Sequence, residues 1–205
     1  NVNPTHPFHS LIELKAEFET LKTQYSGIFR GVEADLLDGG IDCCGNAGRS
    51  FLGLDYVIGS VHLSPGIMPR FADYLETEYS RIMLALKNNS NIDIVGHPFI
   101  SGTRYQKAGV ISKWDYSQIP SQWLWEIIRT AKESGKALEV NYRDFNDPFY
   151  RNFLADIRDA GVRFCIGSDA HDIEGHVRLE SFALVLDELK FTTENQWLPG
   201  GASCL

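Results

Sequence analysis

The chain has 205 residues, 43% of them hydrophobic and 22% charged, which suits one globular domain whose core needs no disulfides. Its formal net charge of -8 argues against nucleic acid or an anionic membrane as the main partner, since the average surface repels both. No apolar run approaches the roughly 18 residues of a membrane span.

Ser10 opens the first predicted element. Leu11, Leu14, Phe18, Leu21 and Tyr25 recur at three- and four-residue intervals with charges between them, the pattern of an amphipathic helix capped by serine and ended by Gly27. IFRGVEAD then reads as a strand, IDCCGNAG as a glycine-rich loop and DYVIGSVH as a second strand. A helix from about Met68 to Lys87 precedes the third strand, NIDIVGHP. The helix SQWLWEIIRTAKESG leads to the fourth strand, KALEVN. DPFYRNFLADIRDAG is a further helix, with Pro148 early in it and Gly161 past its end, and VRFCIGSDAH is the fifth strand. A last helix is predicted over Val177 to Leu189, and the tail FTTENQWLPGGASCL carries no clear pattern.

Strands that alternate with helices of ten or more residues imply an α/β fold with parallel strands and crossover connections. No repeat or low-complexity linker divides the chain, so residues 1–205 read as a single domain. Cys43, Cys44, Cys165 and Cys204 lack the paired spacing of a structural zinc site. They are expected to be free thiols in a reducing, cytoplasmic setting. Trp114, Trp123 and Trp125, with Tyr116, are expected to pack into the core, the alternative being an exposed patch for self-association.

The chemistry collects at the strand ends. The first strand closes on Glu33, the second on His62, the third on His97, the fourth on Glu139 to Asn141, and the fifth on Asp169 and His171. In parallel α/β folds these ends share one face, the face on which active sites are assembled. Taken singly, His97 before Pro98 reads as a loop histidine, Glu33 as an edge carboxylate and Asp169 as a helix cap. Together they read as a metal site, because three of the six histidines occupy equivalent positions. Mixed imidazole and carboxylate donors suit zinc, manganese or iron.

The succession GVEAD, YVIGSVH, IVGHP, LEVN and IGSDAH resembles the PHP family of metallohydrolases, and its histidinol-phosphatase branch in particular. The resemblance runs from Ser10 to about Leu189. It implies a distorted (β/α)7 TIM-like barrel holding up to three divalent metal ions and hydrolysing a small phosphomonoester, such as histidinol phosphate, with a metal-bound hydroxide. By the same resemblance Glu33 bridges two metals, His62 and His97 complete the second, Asp169 binds the first and His171 the third. The family opens with an H-x-H strand that has no counterpart here, because THPFH sets His6 and His9 around Pro7. The expectation is therefore a barrel lacking its first two strands, in a truncated version of a longer protein, with His6 or His9 as candidates for the site rim. Arg143 in NYRDFNDPFY and Arg104 in SGTRYQK are the candidate phosphate ligands. Two other readings stand beside the phosphatase: an inactive PHP-like metal-binding scaffold, and a metallohydrolase acting on a nucleotide or an amide.

Overall fold

The computed structural model describes residues 10–141, 145–170 and 179–201. Five parallel strands form one sheet in the order β1-β2-β3-β4-β5. They are β1 (Gly31–Asp35), β2 (Tyr56–Ser60), β3 (Ile94–Val95), β4 (Ala137–Asn141) and β5 (Phe164–Gly167). Sequential parallel order requires a crossover between each pair. The crossovers carry α2 (Gly45–Leu52), α3 (Phe71–Asn88), the one-turn-and-a-half α4 (Gly102–Lys107) with α5 (Ser121–Ser134), and α6 (Pro148–Asp159). Helix α1 (Leu11–Gln24) precedes the sheet and α7 (Leu179–Glu188) follows it.

Alternation along the strands divides the sheet into two unlike faces. Val57, Val95, Leu138, Val140 and Phe164 are buried in the main core, against helix residues that include Leu75 and Ile82 of α3, Ile127 of α5 and Phe153 of α6. The intervening residues Tyr56, Ile58, Ile94, Ala137 and Cys165 point the other way, where Trp197 gathers them into a small second cluster. The ring of Trp197 meets that of Tyr56 edge-on at 5.8 Å, and its backbone N–H donates to the Phe164 carbonyl beside the edge of β5. Further along the same face come Glu33, Glu139 and Asn141, so one side of the sheet is hydrocarbon and the other becomes polar towards the carboxyl ends of the strands.

Several expectations need correction. Closure into a barrel is not seen: the sheet of described residues is open, with β1 at one edge and β5 at the other. The segment read as a glycine-rich loop contains α2. Its start is set by Asp42, whose carboxylate accepts the Gly45 N–H at 2.6 Å, and its end by Gly53, in the left-handed conformation that glycine adopts without strain. α4 is too short to carry a period. α1 forms with Ser10 accepting the Glu13 N–H as its cap, and its packing is marginal: none of its residues is fully buried, though Leu14, Phe18 and Leu21 are half-buried and Phe18 packs against the main core. Trp114 and Tyr116 are buried and Trp123 stacks on Tyr79 at 4.5 Å, as core packing predicts, whereas Trp125 is exposed and departs from that expectation. No helix among the described residues is long and apolar enough to cross a membrane.

Candidate metal centre

Glu33, His62 and His97, 64 residues apart at the extremes, arrive at one point because β1, β2 and β3 are consecutive neighbours running the same way. Glu33 is mid-strand in β1, His62 follows the end of β2 by two residues, and His97 follows the end of β3 by two. Each of the three offers a donor atom, and these atoms all lie within 4.8 Å of one another. Both imidazoles turn Nε2 toward the same Glu33 oxygen, at 2.8 Å from His97 and 3.3 Å from His62. The two rings sit 5.3 Å apart, edge to face.

The supporting contacts fix this aim. His62 Nδ1 is 2.6 Å from Asp35 Oδ1, so a carboxylate on one ring nitrogen leaves the other free to ligate. Asp35 is two residues after Glu33 and shares its side of β1, an E-x-D signal available in GVEAD but not used in reading the sequence. His97 is held through its backbone, whose N–H donates to Glu139 Oε2 at 2.6 Å. Glu139 is itself buried in β4, between two glycines. A Cβ on Gly167 would lie 1.7 Å from Glu139 Oε1, and one on Gly96 would meet Ser60 Oγ at 2.1 Å and Glu139 Oε2 at 3.3 Å. Close approach therefore demands glycine at both positions.

Electrostatics show a surplus of negative charge. Burial opposes ionisation of Glu33, but the hydrogen bonds to His62 and His97 outweigh it and hold the carboxyl well below the usual range. His97 is drawn up to about 9: burial disfavours its charge, and the Glu33 contact with the nearby Glu139 and Asp169 charges overcomes that. His62 is raised chiefly by Glu33, with Asp35 adding to it. Burial raises Glu139, and the like charges of Glu33 and Asp169 push the same way. The surrounding carboxylates thus bias both imidazoles towards their protonated form. A divalent cation satisfies the same field with fewer protons, so the donor set fits a metal of the zinc, manganese or iron class.

A cavity of about 210 Å³ adjoins this point, lined by Glu33, His97, Glu139, Cys165 and Asp169 among others. Asp169 accordingly shares the site's cavity, though it is outside the three-residue donor cluster. Four non-glycine residues among those described have positive φ, and three of them stand at these strand ends: His97 (21°), Phe99 (64°) and Asp169 (46°). Such strain concentrates at functional sites. Arg104 is exposed on α4 and does not line the cavity. His171, Arg143, His6 and His9 lie outside the described residues.

Comparison with solved structures assigns the fold. The histidinol phosphate phosphatase of Lactococcus lactis, solved with zinc, L-histidinol and phosphate, superposes with a TM-score of 0.66 at 21% identity, over 93% of this chain and 79% of that one. In sequence, the chain is 28% identical over 176 residues to the probable phosphatase YcdX of Escherichia coli K12, and the same figures hold for its Shigella dysenteriae counterpart. That alignment spans 82% of this chain and 62% of the relative's length. No family model matches the chain.

Proposed function

We propose that the chain carries the metal centre of a phosphoesterase that hydrolyses a small phosphomonoester, a PHP-type phosphatase of the histidinol-phosphatase kind. The observation that carries this reading is the convergence of Glu33, His62 and His97 within 4.8 Å at the carboxyl ends of adjacent parallel strands. Similarity to a phosphatase in sequence, and to a zinc- and phosphate-containing structure in fold, supports phosphate chemistry over other hydrolyses at such a centre.

In this reading Glu33, His62 and His97 hold one ion, and Asp169 with His171 extends the site towards further ions, up to three of zinc, manganese or iron. Bound there, divalent cations neutralise phosphoryl oxygens and acidify water. The residues of the chain do the rest: Asp35 orients the His62 ring, Glu139 holds the backbone of His97, and Arg143, rather than the outlying Arg104, supplies a planar fork for phosphate. Cys165 lines the cavity but is no competing nucleophile, because burial pushes its thiol up to about 12. The three described thiols, Cys43, Cys44 and Cys165, are free, which supports a reducing, cytoplasmic setting.

The test is elemental analysis of the purified chain followed by hydrolysis of a phosphomonoester panel that includes histidinol phosphate, with and without chelator. Stoichiometric metal and chelator-sensitive phosphate release support the proposal. Metal without hydrolysis supports the binding scaffold, and no metal overturns both.

A further inference from the structure

Glu78 is 1% exposed, on the stripe of α3 that otherwise buries Tyr74, Leu75, Ile82 and Leu86. A carboxyl group there is costly unless it is engaged, and a leucine would pack the same stripe at less cost. One of its oxygens accepts the backbone N–H of Phe99, and the other is buried without a hydrogen-bond partner. Phe99 is two residues beyond His97, in a turn where both residues have positive φ.

The same turn is gripped elsewhere by buried hydroxyls. Tyr74, one helical turn before Glu78, donates to the Phe99 carbonyl at 2.9 Å, and Tyr116 donates to the Pro98 carbonyl at 2.6 Å. With Glu139 on the His97 N–H, four side chains from three parts of the chain hold the backbone of residues 97–99. The turn is also closed by the Ile100 N–H on the His97 carbonyl at 3.2 Å. The His97 side chain, in contrast, has a buried Nδ1 without a hydrogen-bond partner. Its ring is thus aimed by its backbone, unlike that of His62, which is aimed by Asp35.

We propose that Glu78 is a positioning residue of the metal centre: by holding the Phe99 amide it fixes the strained turn that presents His97 Nε2 to the ion. The inference rests on the metal-centre reading, and it makes zinc affinity and protein stability separable. Glu78→Leu keeps the packing but removes the acceptor, whereas Glu78→Gln keeps an acceptor at the same reach.

Zinc alone is the probe, titrated into the full chain against a chromophoric chelator, with thermal unfolding measured in parallel. We expect Glu78→Leu to bind zinc at least tenfold more weakly while unfolding at the same or a higher temperature, and Glu78→Gln to stay within threefold of the parent. Zinc affinity unchanged in Glu78→Leu, or lost only together with stability, overturns the inference. Tyr116→Phe, which releases the Pro98 carbonyl, provides a second arm should Glu78→Leu not fold: a threefold to tenfold loss supports the clamp and no change refutes it. If the parent takes up no zinc, the metal-centre reading itself fails, and amide exchange in the metal-free chain decides the rest. Fast exchange at Phe99 in Glu78→Leu, with slow exchange in the parent and Glu78→Gln, supports the clamp; equal exchange in all three overturns it.

Discussion

The two faces of the sheet are made by alternate residues of the same strands, and they do opposite work. On the helix-covered face Val57, Val95, Leu138 and Val140 are fully buried, and the contacts with α3, α5 and α6 are predominantly hydrocarbon. On the other face a tryptophan-centred cluster gives way to Glu33, Glu139 and Asn141, with glycines at 96 and 167 making room for a buried carboxylate. One face buries area and is bound to tolerate volume-conserving exchange; the other holds geometry, and is bound to tolerate almost none. Stability and metal binding should therefore respond to different substitutions, though the residues concerned are sequence neighbours.

Leu138→Ala breaks the helix-covered face and carries the largest expected effect. It removes a fully buried side chain from the middle of β4 and should cost about 2–5 kcal/mol of stability, read by denaturant unfolding. The folded fraction should bind zinc as the parent does. Glu33→Gln, in β1, probes the other face: zinc affinity should fall at least a hundredfold, roughly 2.7 kcal/mol, with unfolding displaced by about 1 kcal/mol or less. If both variants lose stability and metal together, the division between the faces is wrong.

The division was partly legible in the sequence. Glu33, His62 and His97 stood out because parallel strands deliver their ends to one rim, an inference that needs only strand positions and direction. Asp35 was equally visible in GVEAD, two residues from Glu33, and its contact with His62 follows from the same alternation. Glu139 was readable as a strand-end carboxylate, but not its hold on the His97 amide, which depends on how far β3 and β4 are staggered. Glu78 carried no signal of its role in the sequence, since the turn it grips begins nearly 20 residues later in the chain. Helix α2 was hidden by composition: glycine, cysteine and asparagine carry little helical signal, and its start rests on a side-chain contact from Asp42. The five parallel strands were legible, but whether their sheet closes was not, because closure depends on strand number and stagger rather than on any local pattern.

A pH comparison sharpens the role of the buried acid between α3 and the site. Burial raises Glu78 from its ordinary 4.5 to about 7. The unfolded chain ionises this group first, so between those values the folded state holds the extra proton, and stability falls as pH rises. Glu78→Gln does not titrate. Its stability relative to the parent should therefore grow from about pH 5 to pH 8 by on the order of 2 kcal/mol, read as the difference between two denaturant series. A difference that is flat with pH would place the Glu78 proton elsewhere.

The smallest effect expected concerns Asp35, which touches the site only through His62. Its Oδ1 is 2.6 Å from His62 Nδ1, while the carboxylate itself stands exposed at the end of β1, so little folding energy depends on it. Asp35→Asn retains the size of the side chain and its carbonyl acceptor for the Nδ1 proton, but removes the negative charge that makes the imidazole a better donor. Zinc affinity should fall roughly tenfold, the lower end of what such supporting carboxylates contribute at metal sites, with the unfolding midpoint unmoved. Asp35→Ala should lose more than Asp35→Asn, because it frees the ring to rotate as well as weakening its basicity. Equal losses in the two would show that charge alone matters, and no loss in either would mean that His62 is oriented by its strand and not by its partner.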